Sequence, residues 1–378
     1  MVLLSCCRVL ITGSNGFIGS NLSSRLNELS GVTVTHFTRD VDPDSLPRLI
    51  SNVDIVVHLA GENRPLDESS FVKSNTRLTE ILCSTIENEF NKNGRKVGLI
   101  FASSVQAKLK NPYGSSKLAA ETAVRRLADD IGNAVALYRL PGVFGKWCRP
   151  NYNSVVATFC HNIARNLPIQ INDETTTLNL VYIDDVVNSF IDFILAPKPG
   201  LFERSVAPEY SISIRELADQ IRAFERCRDV LLTERVGSGF VRALYATYVS
   251  YLPVSRFSYE LPRHSDPRGI FVEFLKTSDS GQFSFFTAHP GITRGGHYHH
   301  TKSEKFLVIK GEALFRFRHI VTGELVELRT TGEKSEVVDT IPGWSHDITN
   351  VGKNEMLVML WANENFDREH PDTITSTV

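Results

Sequence analysis

Apolar residues along this chain follow two rhythms. Up to about residue 240, short β-rich apolar runs at 9–12, 32–37, 55–59, 98–102 and 134–139 alternate with amphipathic helical stretches at 18–29, 71–88 and 115–130. Runs that are apolar throughout belong to strands covered on both faces. With helices between them they predict a doubly wound α/β domain built on a parallel sheet. After about residue 241 the helical period gives way to runs of β-type composition at 271–276, 282–288, 304–309, 313–318, 325–328 and 356–361. Gly281, Pro290-Gly291, Lys310-Gly311, Thr322-Gly323 and Pro342-Gly343 supply the turns. About eight strands without intervening helices predict an all-β barrel or jelly roll. The expected division is therefore residues 1–243 and 244–378, with the aromatic stretch 243–263 as the joint.

Length agrees, since 378 residues exceed one ordinary domain. Lys and Arg number 41 against 43 Asp and Glu, a formal net charge of −2, which gives no broad electrostatic case for nucleic acid or an anionic membrane. Six cysteines without a CxxC pair read as reduced thiols of a cytoplasmic protein. The apolar start runs straight into the first strand rather than into a signal-peptide cleavage site, and no run of about 18 apolar residues forms a transmembrane helix.

Gly13-Ser14-Asn15-Gly16-Phe17-Ile18-Gly19 follows the first predicted strand and opens a helix. Glycines there allow a tight turn and close backbone approach to a pyrophosphate, and the helix N-terminus offers free N–H groups to the anion. That is a Rossmann-type dinucleotide site. At the end of the second strand an acidic residue suits a ribose hydroxyl and an arginine a 2′-phosphate. Arg39 and Asp40 both stand there, so the position leaves the choice open, leaning to NADP because Arg39 comes first.

Asn111-Pro112 predicts a helix start that places Tyr113 and Lys117 on one face. An ammonium beside a phenol lowers its pKa and readies it to exchange a proton with a substrate alcohol or carbonyl. Ser103-Ser104 closes the preceding strand, where a hydroxyl can orient that carbonyl. In the second half, His297 and His299 share one side of an extended strand, Glu304 follows after a short loop, and His346 comes from a later strand. Two or three imidazoles and a carboxylate suit a divalent transition metal, zinc foremost, with an open position.

The first constellation resembles the extended, nucleotide-sugar branch of the short-chain dehydrogenase/reductases over about residues 8–240. The likeness extends to Leu59-Ala60-Gly61, Asn75, the 139–145 segment Arg-Leu-Pro-Gly-Val-Phe-Gly and the 182–186 segment Tyr-Ile-Asp-Asp-Val. It implies Ser104, in preference to Ser103, with Tyr113 and Lys117 as the proton-transfer group. Gly13, Asn15, Gly16, Phe17, Ile18, Gly19, Arg39, Leu59, Ala60, Gly61 and Ser103 would line the cofactor, NADPH. Val105-Gln106-Ala107-Lys108 stands where common 4-epimerases and dehydratases carry a Tyr-Gly pair, which sets this chain apart from them. The second constellation is similar to the two cupin motifs, though the Pro342-Gly343 spacing is one residue short. That likeness implies His299, Glu304 and His346 as ligands, with His297 a fourth ligand or a pocket group.

A reductase of this branch fused to a cupin, together with residues 244–253, the 266–269 and 361–364 segments and the tail His370-Pro371-Asp372-Thr373, resembles bifunctional enzymes of capsular-polysaccharide assembly. It implies a cytoplasmic homodimer acting on a UDP-linked 4-keto-6-deoxy-N-acetylhexosamine. The cupin would epimerise C3, with His297, Tyr298, Lys302 or Asp266 as base. The reductase would then reduce C4 to give UDP-N-acetyl-6-deoxy-L-talosamine, a precursor of N-acetyl-L-fucosamine. The rivals are a single-function reductase with a structural cupin and a non-catalytic sugar-nucleotide-binding module.

Overall fold

The computed structural model describes residues 6–64, 67, 69–369 and 371–378; Met1–Ser5 and His370 of the tail motif lie outside the described residues. The chain forms two compact units, Met1–Ile221 with Ala243–Leu252, and Arg222–Arg242 with Pro253–Val378. The single boundary expected at 243/244 is therefore replaced by an exchange of segments. Leu232–Thr233 is drawn into the second unit by parallel pairing with Gly269–Thr277. Residues 243–252 stay with the first, where Arg165 donates to the Tyr251 carbonyl at 2.7 Å and the Tyr251 hydroxyl donates to the Cys148 carbonyl.

In the first unit, six parallel strands run in the order Val32–Phe37, Cys7–Thr12, Ile55–His58, Gly98–Ser104, Ala134–Leu140 and Gly200–Arg204. The central ones are apolar throughout and fully covered, as at Val9, Leu10, Ile11, Val56 and Val57. This is the Rossmann-like sheet expected from the sequence. Chain order reverses between Cys7–Thr12 and Ile55–His58, and doubly wound sheets bind ligands in the crevice beyond the carboxyl ends at such a point. A separate three-stranded sheet of Gly142–Phe144, Thr177–Tyr182 and Glu209–Ser213, not foreseen, extends the same unit.

The helix expected over 71–88 departs from regular form. Val72–Arg77 is a π-helical turn, and the α-helix proper is Leu78–Asn93. Asn75, buried in that turn, trades hydrogen bonds with the Glu62 backbone, accepting from its N–H at 2.8 Å and donating to its carbonyl at 3.0 Å. A side chain fixed on a neighbouring loop is a sufficient reason for a local π-bulge.

From His264 onward the second unit is all-β, as expected, and forms two sheets. One contains Gly269–Thr277, Gln282–Ala288, Met356–Ala362, Glu304–Lys310 and Val337–Asp339; the other contains Leu325–Thr331, Glu312–His319, Trp344–Asn350, Thr293–Tyr298 and Ile374–Thr375. Phe286, Phe306, Val308, Met356 and Val358 from the first form one core with Ala313, Phe315, Phe317 and Ile348 from the second. No helix among the described residues is long and apolar enough to cross a membrane.

Candidate functional site

The glycine-rich turn is held from behind by a second loop. The Thr12 hydroxyl accepts the N–H groups of Leu59 and Ala60 at 3.2 Å and meets His58 Nδ1 at 2.6 Å. Gly13 has φ +69°, and a Cβ there would stand 2.8 Å from the Ala60 nitrogen, so only glycine fits between the two loops. The helix Phe17–Asn27 starts after Gly16 with no side-chain cap and no acidic residue in its first turn, leaving its N–H groups free for an anion. His58, wholly buried between Thr12 and Thr79, is driven down to about 3 by burial and by the charge of Lys117, so it is a neutral spacer.

Helix Pro112–Ile131, capped by Asn111 Oδ1 on the Gly114 N–H at 2.7 Å, brings Tyr113 and Lys117 to the end of strand Gly98–Ser104. The Ser104 hydroxyl lies close enough to the Tyr113 phenol to lower its pKa. Ser103 is turned away: its hydroxyl donates to Glu121 Oε1 at 2.6 Å, and Arg139 binds the same buried carboxylate through two N–H groups. Lys117 Nζ donates to the Ala102 carbonyl at 3.0 Å and lies 5.2 Å from the centre of the Phe101 ring. Burial brings it down to about 8, with the Glu121 carboxylate acting in the opposite sense. One expectation is corrected here. The Tyr113 phenol is raised, by burial, with only Ser104 working against the rise. Lys117 Nζ is turned to the Ala102 carbonyl, and the raised phenol of Tyr113 stays protonated and is equipped to donate.

These residues border one cleft of about 980 Å³. Asn15, Gly16, Phe17, Ile18, Arg39, Leu59, Gly61, Ser103, Ser104, Tyr113 and Lys117 line it; Gly13, Gly19 and Ala60 build the turn behind it. Arg39, not Asp40, reaches the cleft, where it pairs with Glu62 at 2.6 Å while remaining largely exposed. The cleft continues past Arg64, Arg149 and Tyr152 to strand Thr177–Tyr182, leaving room beyond the cofactor turn for a second ligand. Sequence reading passed over Glu121. Its position four residues after Lys117 puts it on the same helical face, the signal that would have found it.

In the second unit His297, His299, Glu304 and His346 converge, with ligand atoms all within 4.8 Å of one another. His297 sits directly opposite His346 in the paired strands Thr293–Tyr298 and Trp344–Asn350, and Glu304 arrives from the other sheet. His299 Nε2 and His346 Nε2 stand 3.2 and 3.4 Å from the same oxygen, Glu304 Oε2, and Lys302 Nζ is 3.2 Å from Oε1. His346 Nε2 is buried without an aligned hydrogen-bond partner. Against the cost of burial, His299, His346 and Lys302 hold the Glu304 carboxyl far below its usual range. Burial and then His346 push His297 down to about 4, so it too is a neutral donor at neutral pH. Three imidazoles and one carboxylate, with an orphaned ring nitrogen among them, fit a divalent transition metal. Of the bases considered, Asp266 is paired with Arg268 at 2.6 Å and brought down to about 2 by that bond, which makes it a poor one. Tyr298 packs edge-on against His300.

Comparison with known proteins agrees with this division. The model for the NAD dependent epimerase/dehydratase family matches residues 9–202, and that for the polysaccharide biosynthesis C-terminal domain matches 264–374. The chain is 56% identical over 371 residues to the UDP-2-acetamido-2,6-beta-L-arabino-hexul-4-ose reductase of Pseudomonas aeruginosa, covering 98% of this chain and 99% of that protein. This chain belongs to the NAD dependent epimerase/dehydratase family. Within the family it resembles the crystal structure of the capsular polysaccharide assembling protein CapF of Staphylococcus aureus, with 39% identity, a TM-score of 0.87 and coverage of 98% and 100% of the two chains. A structure of MoeE5 with UDP-glucose and NAD covers 64% of this epimerase-family chain and 98% of its own at 19% identity and a TM-score of 0.54, a likeness of fold alone.

The environment of Lys117 generates a prediction. Its ammonium should titrate near pH 8, charged below and neutral above, as read by heteronuclear NMR of the lysine ε-methylene. Glu121→Gln removes the one carboxylate that raises it and should move the midpoint lower. A midpoint above 10, or one unmoved by the substitution, would contradict the assigned surroundings.

Proposed function

We propose that this chain is a bifunctional UDP-sugar enzyme. Its first unit would reduce the C4 ketone of a UDP-linked 2-acetamido-2,6-dideoxy-4-hexulose with NADPH, and its second would epimerise the neighbouring C3 in a cupin barrel. The observation that carries the reading is the joint lining of one cleft by the cofactor turn and by Ser104, Tyr113 and Lys117. The 56% identity to a hexulose 4-reductase supplies the substrate class.

The glycine turn and Arg39 would hold NADPH, which would supply the hydride. Ser104 orients the ketone oxygen, and Tyr113, protonated and close to Ser104, donates the proton that completes the alcohol. Lys117 fixes the helix face against the Ala102 carbonyl. Arg139 and Glu121 hold Ser103, and so the strand end that carries Ser104.

In the second unit His299, Glu304 and His346 would hold a divalent metal, zinc foremost, which would supply a Lewis acid for the substrate oxygen. The C3 hydrogen is acidified by the adjacent ketone. Its acceptor would be His297, neutral and largely buried beside the cluster. The product would be UDP-N-acetyl-6-deoxy-L-talosamine, made in the cytoplasm for surface polysaccharide.

Exposed Phe283, Val337 and Met359 line an apolar cleft of about 370 Å³ on one sheet face of the second unit, which supports a homodimer. Light scattering should return twice the chain mass; a monomer at micromolar concentration would count against pairing.

Tyr113→Phe should abolish NADPH oxidation yet leave C3 hydrogen exchange in D₂O intact. Loss of both activities in a folded variant would sink the two-site reading. Arg39→Ala should narrow the preference for NADPH over NADH by about 1–3 kcal/mol, the worth of a charged hydrogen bond. An unchanged ratio of kcat/KM values would remove Arg39 from cofactor selection.

A further inference from the structure

Residues 372–376 of the C-terminal tail bond at several points to the strands and loop that carry the His/Glu cluster. Ile374–Thr375 adds a short antiparallel strand to Thr293–Tyr298 and places Thr375 opposite His297. The Ser376 N–H donates to the Gly296 carbonyl at 2.9 Å, and the Ser345 hydroxyl, next to His346, donates to the Ser376 carbonyl at 2.6 Å. The densest contacts belong to Asp372. Its carboxylate accepts the backbone N–H groups of His300, Thr301 and Lys302 at 2.9, 2.7 and 2.8 Å, and the Thr301 hydroxyl at 2.9 Å. Its backbone carbonyl accepts from His299 Nδ1.

Both contacts bear on the cluster. Residues 299–303 join His299 to Glu304, two candidate ligands in sequence, so the shape of this loop sets how the two face each other. Three converging N–H groups on one carboxylate hold that shape, and they keep Asp372 ionised despite its partial burial. A carbonyl can only accept, so His299 carries a proton on Nδ1 and turns Nε2 toward Glu304 Oε2, 3.2 Å away. A cation placed between Nε2 and Oε2 would bond to both. Carbonyl-to-imidazole contacts of this kind orient metal ligands and raise their basicity.

We propose that Asp372 is a positioning residue for the metal centre: its carbonyl selects the ligating nitrogen of His299 and its carboxylate fixes the loop that sets His299 against Glu304. This inference rests on the metal reading proposed above. It assigns work to a tail residue that touches no reacting atom.

The test uses the full chain, with Co(II) as a spectroscopic probe and a chromophoric chelator as competitor. The wild-type protein should bind one Co(II) with visible absorption. Asp372→Ala should weaken Co(II) by about 10- to 100-fold and shift that absorption. Asp372→Asn, which keeps one acceptor oxygen, should recover part of the loss. A tail that merely braces the barrel would lower the melting temperature but leave affinity and spectrum unchanged, which overturns the proposal. If Asp372→Ala does not fold, Asp372→Asn and Thr301→Ala decide it: intermediate weakening supports the proposal and wild-type affinity in both overturns it. A wild-type protein that takes up no Co(II) removes the metal reading itself, and this inference with it.

Discussion

A buried carboxylate surrounded by ring nitrogens is the constraint on which the second unit depends. Glu304 is 5% exposed, and both His299 Nε2 and His346 Nε2 are aimed at one of its oxygens. An uncompensated charge at such a site costs several kcal/mol. Lys302 answers one oxygen; a cation shared with the imidazoles would answer the other. Because His297 and His346 belong to one sheet and Glu304 to the other, whatever satisfies this charge also ties the two sheets together. Chemistry and stability are therefore coupled at one place.

The first unit meets the inverse problem, a buried cation. Lys117 is almost fully enclosed, steadied by the Ala102 carbonyl, the Phe101 face and Glu121 one turn along its helix. Glu121 in turn is satisfied by Ser103 and Arg139, so the charge balance passes from helix to strand to strand. That chain of contacts holds Ser104 close to Tyr113. It also explains why adjacent serines differ: Ser103 is committed to Glu121, while Ser104 accepts from the Gln106 N–H and turns toward Tyr113.

Much of this was legible in the sequence, for identifiable reasons. Continuously apolar strands such as 98–102 and the alternation with helices announced the parallel sheet, because burial on both faces leaves no room for polar residues. The glycine turn, Tyr113 and Lys117, and the group of His297, His299, Glu304 and His346, stood out because close approach and shared chemistry restrict residue type. Long-range pairing was not readable. Nothing local shows that Leu232–Thr233 joins Gly269–Thr277, or that Asn75 bends its helix by bonding to Glu62. The direction of the Tyr113 shift was missed because burial, a property of the whole unit, outweighs a neighbour in sequence. Asp372 was visible as part of a motif, but its loop partners lie about 70 residues away.

The most direct measurement is X-ray absorption, with metal analysis, on the purified full-length protein. The account predicts one divalent metal per chain, bound by imidazole nitrogens and a carboxylate oxygen, and loss of that signature in His346→Ala. A protein that neither carries nor takes up a stoichiometric metal, or one whose metal environment is unchanged by His346→Ala, would contradict it.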